Sequence, residues 1–77
     1  MSEQKTQTYG QKAVGLSFNP SNDVAVTSCK QTFAHAIDQL FYLRETTENP
    51  EVKRLASIAI TEAQGAQMWA VKALTWK

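Results

Sequence analysis

The run Val52–Trp76, VKRLASIAITEAQGAQMWAVKALTW, has no proline and a single glycine, Gly65. Good helix formers fill the rest, so it predicts one long helix. Val52, Leu55, Ala59, Ala63, Ala66, Ala70 and Leu74 recur at spacings of three and four and predict a packing stripe. A second seam, Arg54, Ile58, Thr61, Gly65, Met68 and Thr75, with Lys72 between the last two, follows a four-three spacing. A helical hairpin needs only the first stripe. The second mixes an arginine, a hydroxyl and a glycine where a plain packing helix would carry leucine.

A partner for that helix precedes it. Asn19-Pro20-Ser21-Asn22-Asp23 is a helix start: Asn19 or Ser21 can cap free amides, proline suits the first turn, and Asp23 complements the positive end of the dipole. The first helix is expected from about Ser21 to Thr46, burying Val26, Cys29, Phe33, Ile37, Leu40 and Leu43 or Arg44, with Phe41 and Tyr42 widening its aromatic end. Thr46–Pro50 breaks it, and Asn49-Pro50-Glu51 repeats the start signal for a helix that can run to the C-terminus. At about 1.5 Å per residue the two helices span roughly 39 and 42 Å. Matched lengths and a short loop predict an antiparallel hairpin. The expected organisation is a single all-α domain, 1–77, divided into an arm (1–18), helix one (19–47) and helix two (49–77).

The arm is polar, interrupted by Gly10 and Gly15, and carries Lys5 and Lys12; it predicts no more than one turn of helix near Lys12–Val14. Phe18 reads as a hydrophobic plug beside the first helix. Tyr9 has little core to join, which leaves solvent, a neighbouring subunit or a ligand.

A two-helix core in a chain of 77 residues supplies only about 3–5 kcal/mol and calls for a staple. Cys29 is the only cysteine, so no internal disulfide forms, and oligomerisation is the remaining device. A single cysteine and the polar opening MSEQKTQTYG predict a cytoplasmic protein, and no apolar run of about 18 residues predicts a membrane span. The net charge of +1 is too balanced for a protein that relies on counterion release along duplex DNA. A small anion needs only two or three well-placed cations.

Catalysis finds no support. His35 lies off the apolar stripe and has no sequence partner, Cys29 falls within the stripe as a small hydrophobe, and Glu45, Glu48 and Glu51 gather at the loop in solvated or capping roles. No spacing matches a metal site or a phosphate-binding glycine loop, so neither enzyme activity nor a cofactor or metal is expected. Lys30, one turn from Thr27 and Phe33, is a solvated lysine by default and a phosphate contact in the alternative. Trp69 and Trp76, seven residues apart, read as core and interface anchors.

The second seam is the richest candidate. Arg54 and Thr61 are two turns apart and point the same way, with Ser57 and Ile58 between them near that direction. Gly65 admits a second backbone one turn on. If the seam self-associates, guanidiniums converge and require an anion among them; arginine forks suit phosphate oxygens. The competing account pairs Arg54 with Glu51 or Glu62 on the surface and leaves Thr61 and Gly65 to tight packing.

Taken in order, these elements resemble the small phage proteins of the anti-CBASS cyclic-nucleotide sponge family. The resemblance rests on Phe18-Asn19-Pro20-Ser21, Lys30 with Phe33-Ala34 and Ile37-Asp38, Asn49-Pro50-Glu51, and Arg54, Ser57, Ala59, Thr61, Gln64, Ala66, Met68, Ala70-Val71 and Ala73. It covers about three quarters of the chain. It implies an all-helical protomer in a homo-oligomer, a hexamer built from trimers, that binds cyclic oligonucleotide messengers without cleaving them and so blocks host antiphage signalling. It further implies a cyclic trinucleotide held on a three-fold axis by Arg54 and Thr61, with Ser57 beside them. A cyclic dinucleotide would sit between protomers, held by Tyr9 and Lys30, Lys12 competing with Lys30. The alternative is a structural or protein-interaction bundle of a phage with no nucleotide ligand.

Overall fold

The computed structural model describes residues 6–19 and 22–77. They form three helices, α1 (Tyr9–Ala13), α2 (Val24–Thr46) and α3 (Pro50–Leu74), with no strand among the described residues. The expected all-α class is observed.

The arm holds more structure than its composition predicts. Thr8 and Gln11 form a reciprocal capping box: the Gln11 amide donates to Thr8 Oγ1 at 3.0 Å and the Thr8 amide to Gln11 Oε1 at 2.9 Å. This satisfies free amides locally and starts α1 at Tyr9 rather than at Lys12. Tertiary contacts hold it. The Gly10 amide donates to the Asp38 carboxylate on α2 at 2.7 Å, and Gly10 is buried against α2 so tightly that a Cβ there would strike the Ala34 carbonyl. Glycine at this position is a packing requirement. Lys5 lies outside the described residues.

α2 begins later than the expected Ser21. Asp23 is its N-cap, accepting from the Ala25 amide at 2.9 Å, because Asn22 takes a positive φ of 56° that no helix accommodates. Ser21 and Pro20, expected as cap and first-turn residue, lie outside the described residues. Asn19 acts from further back: its amide nitrogen donates to the Asp23 carbonyl at 3.0 Å and to Thr27 Oγ1 at 2.7 Å.

The loop between the long helices follows the sequence signal. Asn49 caps α3 by accepting from the Glu51 and Val52 amides, and Pro50 occupies the first turn. Lys53 donates to the Arg44 carbonyl at 3.1 Å and Arg44 Nη1 to Ser57 Oγ at 3.2 Å, joining the two helices beside the loop. α3 ends at Leu74, three residues short of the C-terminus.

The central cluster is Val14, Ala34, Ile37 and Ile60, flanked by Leu16, Phe33, Leu40 and Ala63. α3 therefore turns a different edge inward from the expected stripe. Ala56, Ile60 and Gln67 are buried, whereas Leu55 and Leu74 are 51% and 47% exposed. Ala59, Ala63 and Ala70 sit at the margin and Ala66 is exposed. The inward edge runs through Ala56, Ile60 and Gln67, and Leu55 and Leu74 fall on the outer side. Phe18, expected as a plug, is 72% exposed. On α2, Val26 and Ile37 are buried as expected, Cys29 is only half-buried, and Leu43 is exposed. The described Cα atoms fill a slab of 43 × 37 × 12 Å, thin enough to leave both broad faces open.

Candidate functional site

Along the outer side of α3, Arg54, Thr61 and Met68 are exposed and Ile58 is 44% exposed. This is the second seam, and no part of the described protomer covers it. Gly65 lies on it with nothing within 4 Å of where a Cβ would stand. Arg54 meets Glu51 in a two-point pair, Nε to Oε1 at 3.0 Å and Nη2 to Oε2 at 2.6 Å. The pair holds the Glu51 carboxyl below its ordinary range and raises the Arg54 guanidinium, through the side-chain hydrogen bond in both cases. Both side chains are more than half exposed, so the attraction is screened and a better anion can replace the carboxylate. Thr61 projects two turns along, about 10 Å away. Ser57 is drawn elsewhere: half-buried, it accepts the Arg44 hydrogen bond between the helices.

Tyr9 finds a packing partner while staying 38% exposed. Its ring stacks on Phe41 with centroids 4.4 Å apart and planes 9° from parallel, and the Arg44 guanidinium lies 5.6 Å from the Tyr9 centroid and 5.4 Å from that of Phe41. Packing offers such a ring a second aromatic and a cation, which the polar flanks of α1 do not reveal.

Lys30 is not solvated. It is 6% exposed, and its ammonium donates to the Gly15 carbonyl at 3.0 Å and the Phe18 carbonyl at 2.6 Å while lying 5.6 Å from the Phe18 ring centroid. It ties the turn after α1 to α2. Lys12 and Lys30 line one cavity of about 810 Å³, with Lys12 exposed. Tyr9 does not share it. Within one protomer Tyr9 packs at Phe41, eleven residues from Lys30 and so about 16 Å along α2.

The same cavity is lined by a residue the sequence reading passed over. Gln67, on α3, is 5% exposed. Its signal is positional: it stands seven residues after buried Ile60, on the inward edge. Trp69 and Trp76, expected as core and interface anchors, are 72% and 74% exposed, so neither belongs to the protomer core. The Lys72 ammonium lies 6.0 and 5.9 Å from their ring centroids. His35 is exposed beside Asp38 and Gln31 in a shallow cleft. Among the described residues, no three His, Cys, Asp or Glu side chains gather to hold a metal, and no helix is long and apolar enough to cross a membrane.

In a comparison with protein families, residues 11–75 match the family described as Acb2/Tad1, hairpin domain. The chain belongs to the Acb2/Tad1 family. This is the anti-CBASS cyclic-nucleotide sponge family, so membership implies a sponge for cyclic nucleotides, a function of a generally non-enzymatic kind. No curated protein and no solved structure matches the chain. In this Acb2/Tad1 hairpin the matched span takes in Lys12, Lys30, Arg54, Thr61 and Gln67, whereas Tyr9 precedes it.

Proposed function

We propose that the protein captures cyclic di- and trinucleotide messengers stoichiometrically, without chemistry, and so interrupts host antiphage signalling in the cytoplasm of the infected bacterium. Its working form is a homo-oligomer, a hexamer built from trimers. A cyclic trinucleotide lies on a three-fold axis, where each protomer offers Arg54 and Thr61 to one phosphate, with Ser57 behind them. A cyclic dinucleotide lies between protomers against Tyr9 and either Lys30 or Lys12. The observation that carries the axial site is the uncovered α3 seam, on which Arg54 is held only by an exposed, exchangeable Glu51 among the described residues.

Calorimetry with a cyclic trinucleotide tests it. Arg54→Ala is expected to abolish binding while native mass spectrometry shows the same oligomer as the wild type. Undiminished binding by the variant refutes the axial assignment. A second reading draws on exposed Leu55, Ile58 and Met68: the seam serves assembly alone, as in a structural bundle. It predicts no heat with any cyclic nucleotide.

A further inference from the structure

The Arg44 side chain, half-buried near the end of α2, touches all three helices. Nη1 donates to Ser57 Oγ on α3 at 3.2 Å, and Nε lies 3.6 Å from the Glu45 carboxylate. The guanidinium also meets Tyr9 of α1 and Phe41 of its own helix. Its distances to those two ring centroids, 5.6 and 5.4 Å, are nearly equal, although the rings are almost parallel and 4.4 Å apart. A cation on the outer face of one ring would be much farther from the other. Arg44 therefore stands beside the stack, along the rims of both rings. Phe41 covers one face of Tyr9, Arg44 borders its rim, and Tyr9 stays 38% exposed. The open side is the face turned away from Phe41.

Joining α2 to α3 requires only the bond to Ser57. What the contact with the rings adds is order. α1 is five residues long, too short to hold itself, so tertiary contacts set the direction of Tyr9. The Gly10 amide fixes the backbone on Asp38, and Phe41 and Arg44 fix the ring. Arginine suits the task, because a delocalised, weakly hydrated guanidinium lies against aromatic rings while it hydrogen-bonds elsewhere. An immobile tyrosine with one open face is a stacking platform that has given up its rotamer freedom before a ligand arrives. We propose that Arg44 is the positioning residue for Tyr9 in nucleotide capture. Held by Ser57, its guanidinium keeps the Tyr9 ring on Phe41, with the free face presented to a base of the cyclic nucleotide. Arg44 acts through Tyr9 and does not touch the ligand. This assignment rests on the sequestration reading and adds to it the residue that readies Tyr9.

The test uses the full chain in a double-mutant cycle, with cyclic di-AMP as the calorimetric probe. Arg44→Met keeps an apolar stem and removes the guanidinium. It is expected to weaken binding about three- to tenfold, the cost of ordering one side chain on binding. In the Tyr9→Leu background it is expected to cause no further loss. NMR of labelled tyrosine gives a readout without ligand. The Tyr9 ring signals, displaced by Phe41 in the wild type, should move toward those of a free tyrosine in Arg44→Met, with Tyr42, the other tyrosine, as reference. Arg44→Lys keeps the charge but not the planar fork and is expected to lose affinity as well; it carries the cycle if Arg44→Met lowers helical circular dichroism. Wild-type affinity in Arg44→Lys overturns positioning, because charge alone then suffices. Unmoved Tyr9 signals in Arg44→Met also overturn it. So does an Arg44→Met loss that persists in full in Tyr9→Leu, because Arg44 then meets the ligand itself; sequestration stands in all three cases. A wild-type protein that binds neither cyclic di-AMP nor cyclic tri-AMP overturns the sequestration reading itself.

Discussion

Replacing Lys30 by methionine separates two roles that the sequence alone cannot distinguish. The substitution keeps an unbranched apolar stem in a site that is 6% exposed and deletes the ammonium. Two hydrogen bonds from a charged donor disappear, to Gly15 O at 3.0 Å and Phe18 O at 2.6 Å. Such bonds contribute about 1.5–3 kcal/mol each. Phe18 is 72% exposed, so water reaches the turn once it loosens and recovers part of that sum. Methionine also gives up less side-chain entropy on burial than the longer lysine. The net loss is about 1–3 kcal/mol, which lowers the melting temperature of a small domain by roughly 5–20 °C. Urea denaturation followed by circular dichroism, at one fixed protein concentration, measures the loss. Hydrogen exchange places it: the Phe18 amide, which donates to Gly15 O at 2.9 Å, should lose protection while the middle of α3 keeps it. A variant with an unchanged midpoint and an unchanged Phe18 amide refutes the tie between turn and helix, and would make Lys30 a residue held in reserve for phosphate.

Three other perturbations probe the remaining contacts. Gly10→Ala drives a Cβ into the Ala34 carbonyl and to 2.8 Å from Asp38 Oδ1; overpacking of this kind is expected to cost about 3 kcal/mol, seen in the urea midpoint, with α1 detached. Gly65→Leu meets no protomer atom within 4 Å at its Cβ, so its helical content should match the wild type while native mass spectrometry shows the oligomer lost; an intact oligomer would place the interface elsewhere. The Glu51 carboxyl is lowered from its ordinary 4.5 by Arg54, so its support is present above that pH and fades as the pH falls through the lowered value. Wild type and Glu51→Gln should therefore differ slightly at neutral pH, converge in acid and converge again in high salt; a gap that widens in acid contradicts the sign.

The hairpin was legible because its signals are local. Asn49-Pro50-Glu51 caps and starts α3 with atoms no more than three residues apart. The edge that α3 buries was not legible, because apolar residues lie on more than one side of the helix: Leu55 and Leu74 look like core, but Ala56 and Ile60, on another edge, are the buried ones. The second seam was readable for the same reason in reverse, since an arginine and a threonine among apolar residues mark a face that the hairpin does not use. Lys30, Tyr9 and Gln67 were misread or missed because their environments are long-range. The carbonyls that hold Lys30 come from residues 12 and 15 positions away, and the ring beneath Tyr9 belongs to α2. No window of periodicity contains such partners.

The distance between Tyr9 and Lys30 has a consequence for the proposed dinucleotide site. α1 is pinned by Gly10 to Asp38 and Ala34, which leaves Tyr9 on Phe41, roughly 16 Å along α2 from Lys30. Lys30 lines the cavity on the far side of that anchor, whereas Lys12 stands only three residues after Tyr9 on α1. One protomer thus cannot close Tyr9 and Lys30 on one small ligand without unpacking α1, the step that Gly10 opposes. A ligand that engages Tyr9 and Lys30 together must take them from different copies. Binding then requires assembly, and by linkage a bound dinucleotide must strengthen the oligomer by an amount that grows with the logarithm of its concentration over the dissociation constant. Dilution of the protein with and without cyclic di-AMP, followed by mass photometry or sedimentation, reads that coupling directly: the ligand should shift dissociation to lower protein concentration. If the oligomer dissociates at the same concentration in both, Tyr9 and Lys30 do not serve one site.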